Sequence, residues 1–356
     1  MGWRRKVLLG VVILVGVLCF EGMRVLGGGR LFAPVLPSWV MVGYTGLYLL
    51  MMVFFVLLLV AQLVKVVMMA IPRWRRCGAE RRRTCMNVLH GALLVLAGVI
   101  CGVGMCGALR MPDVHELRLE VNGLRSPVRL ALLTDLHADS VKDADFFRRL
   151  VQRTNELGAD VIVIAGDFVD GTVAQRGANL EPLRGLRAPL GVYGVPGNHD
   201  YFSGYEEWLP ALRGLGICML NNEHVVFGAQ GLVLAGVTDP ASRLFGAEEP
   251  DVHKALAGAA QELPVVLVAH QPKLAAAAAE VADVQLSGHT HGGQLPGIAQ
   301  LTAMFNNGWC SGLYRVSKRL QLYVSNGTSL WSGMPLRLGV PAEITLITLC
   351  PPAPQP

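Results

Sequence analysis

The sequence is poor in charge. Of its 356 residues, 16% are Asp, Glu, Lys or Arg and 52% are hydrophobic, whereas ordinary soluble domains carry roughly a quarter charged residues. A disordered or highly charged chain is thereby excluded, and a membrane is indicated. Also absent are internal repeats and any linker rich in Ser or Pro. The eight cysteines make no disulfide framework. Cys19, Cys101 and Cys106 lie in apolar stretches, and Cys77 and Cys85 in an arginine-rich loop. Cys218, Cys310 and Cys350 remain, with no close pair, and are expected as buried apolar fillers. Acidic residues are nearly missing from the first third: residues 1–112 hold 13 Lys/Arg and 2 Asp/Glu, while 113–356 hold 18 and 24. The net charge of +5 therefore indicates orientation in a bilayer rather than binding to nucleic acid, and no nucleic-acid partner is expected.

Three apolar stretches fall in that first third, at about 7–23, 39–63 and 88–109. A helix needs about 20 residues to cross a bilayer, so residues 1–112 are predicted to be a multi-pass region of about three spans. The charged start and apolar run at 7–20 also fit a cleavable signal peptide. No small-x-small site follows in Cys19-Phe20-Glu21-Gly22-Met23, which favours an uncleaved span. Arg73, Arg75, Arg76, Arg81, Arg82 and Arg83 crowd the second loop and should stay cytoplasmic. Three spans then put the C-terminal domain outside the cytoplasm; a fourth would reverse it. Gly98 and Gly102 form a GxxxG in the third span, a spacing that permits close helix packing. Oligomeric state is left open.

The pattern changes near 113. Apolar runs at 128–134, 160–165, 190–195, 232–237, 265–269 and 284–287 read as strands. Helical spacing at 145–157, 206–214 and 273–281 alternates with them. The segments 320–325 and 343–349 read as further strands, and 351–356 (PPAPQP) as a tail. Such alternation predicts a layered α/β domain over 113–350.

The informative residues stand just after these strands. Asp135-Leu136-His137 follows the first, Gly166-Asp167 the second, and Gly197-Asn198-His199-Asp200 the third. His270 follows 265–269, and Gly288-His289-Thr290-His291 follows 284–287. Residues two apart in an extended chain point to the same side, so an Asp and a His so placed can grip one ion. Each piece alone is weak. Together they hold five of the nine histidines, each at the strand edge where open α/β folds collect ligands. Two Asp, one Asn and four His suit a pair of divalent ions, with Mn, Fe, Zn and Ni all acceptable.

These residues, in this order, resemble the calcineurin-like metallophosphoesterase superfamily over about 128–349. GHTHGGQ at 288–294 and PAEITLITL at 341–349 are similar to its membrane-anchored branch. The resemblance implies an α/β/β/α sandwich following the membrane helices. It implies that Asp135, His137 and His291 hold one metal ion, that Asn198, His270 and His289 hold a second, and that Asp167 bridges them. It gives His199 the scissile phosphate's leaving oxygen and gives Asp170 the task of orienting His199. The implied activity is dinuclear metal-dependent hydrolysis of a phosphate ester, phosphodiester or pyrophosphate by metal-activated hydroxide. The substrate is expected to be a phosphorylated small molecule or a lipid-linked phosphate met at the bilayer. One related branch cleaves UDP-2,3-diacylglucosamine, a reaction that needs a cytoplasmic site, against the orientation above. A non-catalytic metal-binding membrane protein is the alternative of another class, and it would be expected to have lost a ligand or His199. Where protein Ser/Thr phosphatases of this superfamily have an Arg after the Asp matching Asp170, this chain has Gly171, which argues against a phosphoprotein substrate. Tyr201 and Phe202 could line the substrate mouth or simply pack. Trp309, Tyr314, Trp331 and Met334 could meet an acyl chain, the bilayer surface or the core. Asp239 reads as a turn residue that could also support the site.

Overall fold

A computed structural model describes residues 33–352 apart from 296, 332 and 333, together with residues 3, 10, 11, 14, 18, 21, 22 and 25. Most of the expected first span at 7–23, Cys19 and most of the tail at 351–356 lie outside the described residues.

Two helices among the described residues are long and apolar enough to cross a membrane: α1, Ser38–Ala70, and α2, Ala79–Leu109. The expected bundle of about three helices is thus two in what is described. Both outgrow the predicted stretches, and Arg81, Arg82 and Arg83 join the start of α2. Prolines set the limits of α1. Pro37 caps its start, and Pro72 forces Ile71 out of helical geometry, to φ −83 and ψ 119, because a proline ring crowds the residue before it. The two helices pack where Gly46 faces Met105: a Cβ on Gly46 would lie 3.0 Å from Met105 Cε. Gly98 and Gly102 face open space instead, so the close packing expected of that GxxxG falls elsewhere, on Gly104 and Gly107 against Leu336 and Arg337.

Beyond Arg110 the chain builds two six-stranded sheets. The first contains β1 (Asp113–Glu120), β2 (Val128–Leu133), β3 (Val161–Ala165), β4 (Val192–Val195), β5 (Cys218–Met219) and β12 (Glu343–Cys350). The second contains β6 (Glu223–Phe227), β7 (Leu232–Gly236), β8 (Val265–Val268), β9 (Val284–Ser287), β10 (Gly312–Arg315) and β11 (Gln321–Val324). Their orders are β1-β12-β2-β3-β4-β5 and β10-β11-β9-β8-β7-β6. β2 to β5 run parallel, as do β7, β8, β9 and β11.

The apolar runs sort into layers by their period of two. Leu130, Leu132, Val161 and Val163 point into a core shared by the two sheets with Leu234, Val266, Val268 and Leu286. Their neighbours Ala131, Leu133, Ile162 and Ile164 face the opposite way, under helix α3, Ala144–Glu156, which contributes Phe146, Phe147 and Leu150. Val233, Ala235 and Leu267 form a third layer outside the second sheet. Both faces of each sheet are therefore covered, which explains why the strands read as continuous apolar runs. Asp143 starts α3 by accepting from the backbone N–H groups of Asp145 and Phe146, at 3.1 Å each. Each fully buried Leu in these layers contributes about 1.5–3 kcal/mol.

Several expectations need correction. The helix predicted at 273–281 is a 3-10 turn, Pro272–Leu274, followed by a single α-helical turn, Ala275–Ala278. Alanine favours helix, but β9 begins at Val284 and its lead-in is already paired, with the Asp283 N–H donating to Val265 O at 2.9 Å, so no room remains. Cys310 and Cys350 are buried, yet Cys218 is exposed on two-residue β5, an edge strand. All seven described cysteines are free.

Candidate metal centre

The C-terminal ends of β2, β3, β4, β8 and β9 meet at one edge, and the chain turns sharply after β2, β3 and β9. Asp135, His137, Asp167, His289 and His291 all have positive φ, from 45° to 73°. They are five of the eight non-glycine residues so placed among those described. L-residues rarely adopt this region, so the backbone is bent where these side chains must converge. Two glycines make the closeness possible. A Cβ on Gly197 would run into the Asp167 carboxylate, and one on Gly288 into the Asp135 carboxylate. The glycines of the GN and GH pairs are thus clearance for the two aspartates. Gly288→Ala should push Asp135 aside and weaken metal retention by about 10–100-fold, the scale seen when the surroundings of metal ligands are disturbed. Metal analysis after dialysis checks this, and an unchanged metal content would count against it.

All nine residues singled out in the sequence come together. Asp135 accepts from the His289 N–H at 3.0 Å through Oδ1, and its Oδ1 lies 3.6 Å from His291 Nε2. His291 Nε2 lies 3.3 Å from His137 Nε2. Asp167 Oδ1 accepts from the His199 N–H at 2.8 Å. Asp167 Oδ2 is 3.2 Å from His270 Nε2 and 3.6 Å from His137 Nε2. Asn198 Oδ1 lies 3.2 Å from His270 Nε2 and 2.9 Å from His289 Nδ1. Three sets each place their ligand atoms within 4.8 Å of one another: Asp135, His137 and His291; Asp135, Asp167 and His270; and His137, Asp167 and His199.

This donor set fits divalent ions. His270 Nδ1 faces the Ala165 carbonyl at 2.9 Å, and His137 Nδ1 faces Asp170 Oδ2 at 3.0 Å. Both Nδ1 atoms must donate there, so in the neutral rings the Nε2 lone pairs point inward, at carboxylate and amide oxygens. Acceptors facing acceptors in a buried site need a positive charge between them. Protons can supply it. Burial opposes a charged His270, yet Asp167 outweighs burial and raises the imidazole well above its ordinary range. For His137, burial is likewise outweighed by Asp170. Asp167 is held well below the usual carboxylate range, with His270 and His199 overcoming its burial. His289 and His291 go the other way. Burial, reinforced by His270, lowers His289 to about 3, and burial with His137 lowers His291 well below its ordinary value. Neutral imidazoles beside two carboxylates are what a divalent ion requires.

Asp170 does more than the sequence suggested. Besides facing His137, its Oδ1 takes His199 Nδ1 at 2.5 Å, and the two imidazoles meet edge to face at 4.7 Å. Burial would raise Asp170, but His137 and His199 lower it to about 2. Burial would lower His199, but Asp170 and Asp167 raise it to about 9. His199 borders a cavity of about 620 Å³ shared with Asp170, Tyr201, Phe202, Tyr205 and Phe245. Among the described residues no Arg or Lys lines it, whereas Glu206 and Glu207 do. The two buried guanidiniums nearby serve the backbone: Arg176 donates to Asp170 O at 3.2 Å and Pro34 O at 3.0 Å, and Arg337 to Asn326 O and Ser329 O at 2.7 Å each.

Three residues here were not singled out from the sequence for what they do. Asp200 accepts from the N–H groups of Phe168 and Gly197, at 2.8 Å each, and so ties the loop after β3 to the loop after β4. Burial, then Asp167, raises it to about 7. Its place at the end of Gly197-Asn198-His199-Asp200 was the available signal. Arg337 reaches to 3.5 Å from His291 Nδ1. Thr328 Oγ1 accepts from the Thr134 N–H at 3.1 Å, bracing the strand before Asp135. Asp239 has both roles foreseen for it, accepting from the Ala241 N–H at 2.8 Å in a turn and from Gln271 Nε2 at 2.9 Å beside His270. Tyr201 is buried and Phe202 exposed, and both line the cavity. Trp309 and Tyr314 pack against the outer core of the second sheet.

Comparison with known proteins places this edge in context. The calcineurin-like phosphoesterase family matches residues 128–293. An uncharacterized metallophosphoesterase of Helicobacter pylori is 36% identical over 275 residues, covering 76% of this chain and 73% of the relative. A transmembrane protein with metallophosphoesterase domain from Danio rerio is 36% identical over 270 residues, covering 72% of this chain and 61% of the relative. Among solved structures, a 5′-nucleotidase precursor from Thermus thermophilus overlays loosely, with TM-score 0.40 and 15% identity. That overlay covers 62% of this chain and 55% of the other.

Proposed function

The chain belongs to the calcineurin-like metallophosphoesterases, metal-dependent hydrolases of phosphate esters, and from that premise we propose a membrane-anchored, two-metal phosphoesterase acting on a phosphate carried by a membrane lipid. Residues 1–112 form the membrane region in this reading and 113–350 the catalytic domain. Asp135, His137 and His291 hold one ion, and Asn198, His270 and His289 the other. The observation that carries the two-ion reading is Asp167 Oδ2, which lies within 3.6 Å of an imidazole from each set and so stands where a bridge must. A pair of divalent ions there supplies an activated water and neutralises phosphate oxygens.

The chain's own residues do the rest. Asp170 fixes His199 through Nδ1, which turns the opposite ring edge, Nε2, away from Asp170, and Nε2 is the atom assigned to the leaving oxygen. Asp200 holds the loops carrying Asp167 and Asn198 in register. The aromatic lining of the cavity favours an apolar group on the substrate, and Glu206 and Glu207 in that lining disfavour a highly anionic one. The catalytic domain is read as extracytoplasmic. This needs only the α1–α2 hairpin: its basic turn holds Arg73, Arg75 and Arg76, which keep it inside. The opposite ends of both helices, and the domain attached to α2, then lie outside.

The test has two arms. A phosphatase reporter fused after residue 350 should be active in cells and a fluorescent-protein fusion dark; the reverse pattern would overturn the orientation. The detergent-purified chain should hydrolyse bis(p-nitrophenyl) phosphate with Mn or Zn, lose that activity to a chelator and regain it on metal addition. Activity indifferent to chelation would overturn the two-metal reading.

A further inference from the structure

The catalytic domain reaches down the side of the two apolar helices. Leu336 packs with Leu49 of α1 and Cys101 of α2, joined by Leu295 and Met334. The Arg337 N–H donates to the Gly104 carbonyl at 3.0 Å, and the Leu338 N–H to Gln294 O at 2.9 Å, so the two loops and α2 are one packed unit. Depth follows from helix geometry. At ~1.5 Å per residue, Gly104 lies about 7 Å and Cys101 about 12 Å before the end of α2 at Leu109. The uncharged stretch of α2, 88–109, has 22 residues, which is about 33 Å against a hydrocarbon layer of about 30 Å. Almost no slack remains, so if α2 spans, Cys101 and Gly104 lie below the membrane surface, together with whatever packs on them.

The composition of those loops agrees. Residues 295–305 carry no charge, and 331–342 carry one, Arg337, which is 3% exposed with its guanidinium capped by backbone carbonyls. The short helix Ile298–Met304 begins seven residues after His291. Ile298, Leu301, Met304 and Phe305 are all exposed, the last two at 77% each. Positions 298, 301 and 305 share one helical face. An uncharged, outward-facing apolar stripe that begins three residues after Leu295, itself packed in the α1–α2 cluster, has one occupant that fits, the acyl region of the adjoining leaflet.

We propose that helix Ile298–Met304 and the loop 334–338 form a wedge embedded in the bilayer beside α1 and α2, seating the metal centre directly over the lipid. This rests on the reading of α2 as a spanning helix, and the experiment separates the two. Phe305, Val95 in the middle of α2, and Val226 on edge strand β6 are each replaced by p-benzoylphenylalanine in the full chain. Each variant is reconstituted in phosphatidylcholine nanodiscs and irradiated, and peptide masses are read. The expected result is a mass shift of one phosphatidylcholine at 305 and 95 and none at 226. A lipid adduct at 95 without one at 305, or a cross-link from 305 to a second copy of the chain, overturns the wedge and leaves the spanning helix standing. No lipid adduct at either overturns both. The readout needs no catalysis, so it is independent of the hydrolase reading.

Discussion

Asp167→Ala is expected to remove bound metal and to lower phosphodiester hydrolysis by on the order of 10³-fold, the several kcal/mol of charge stabilisation that metal ions supply at about 1.4 kcal/mol per decade. The reason is positional. Asp167 Oδ2 is the atom shared between the His137 and His270 neighbourhoods, and Oδ1 holds the loop after β4 through the His199 N–H. Without the carboxylate, His270 and His137 each lose a counter-charge, and the two ligand sets lose their link. Metal content by mass spectrometry of the purified variant, beside its rate at saturating Mn, is the measurement. A variant that keeps two ions per chain would remove Asp167 from the centre of the site.

His199→Ala should give the opposite pattern. Turnover should fall by about 10²–10⁴-fold, the usual contribution of a positioned acid or base, while most of the metal stays. Asp170→Asn separates two readings of that carboxylate. If it only orients His199, the variant copies His199→Ala and keeps its metal. The structure has Asp170 facing His137 as well, at 3.0 Å, so Asp170→Asn is expected to lose turnover and also to weaken metal retention by about 10–100-fold. Equal metal loss in the Asp167 and His199 variants would overturn the division between ligand and acid.

What was legible in the sequence follows from range. The strand runs and the residues right after them are local signals: an apolar run ending in Asp135-Leu136-His137 or Gly166-Asp167 states its own position at the end of a strand. Which of those residues touch is not local. Asp170 and His137 are 33 residues apart and Arg337 and His291 are 46 apart, and nothing in either stretch announces the meeting. Edge strands were hard to see for another reason. β1 and β6 are half-exposed and carry charged or polar residues, so neither shows the apolar run that marked the central strands. Helix ends were missed where proline and packing, rather than hydropathy, decide them, as at Ile71 and after Ala278.

Trp331 lies 6.3 Å from the His199 ring, and Met334, three residues on, packs with the α1–α2 cluster. Three residues of chain reach at most about 11 Å. A molecule with its head at His199 could therefore keep its tail in the leaflet. For such a molecule the enzyme's encounters would occur in two dimensions, and the rate would track mole fraction in the sheet of lipid rather than molarity in the surrounding water. Diluting the substrate with inert phospholipid at constant total amount would then slow the reaction, whereas diluting the whole suspension with buffer would leave each enzyme's turnover unchanged.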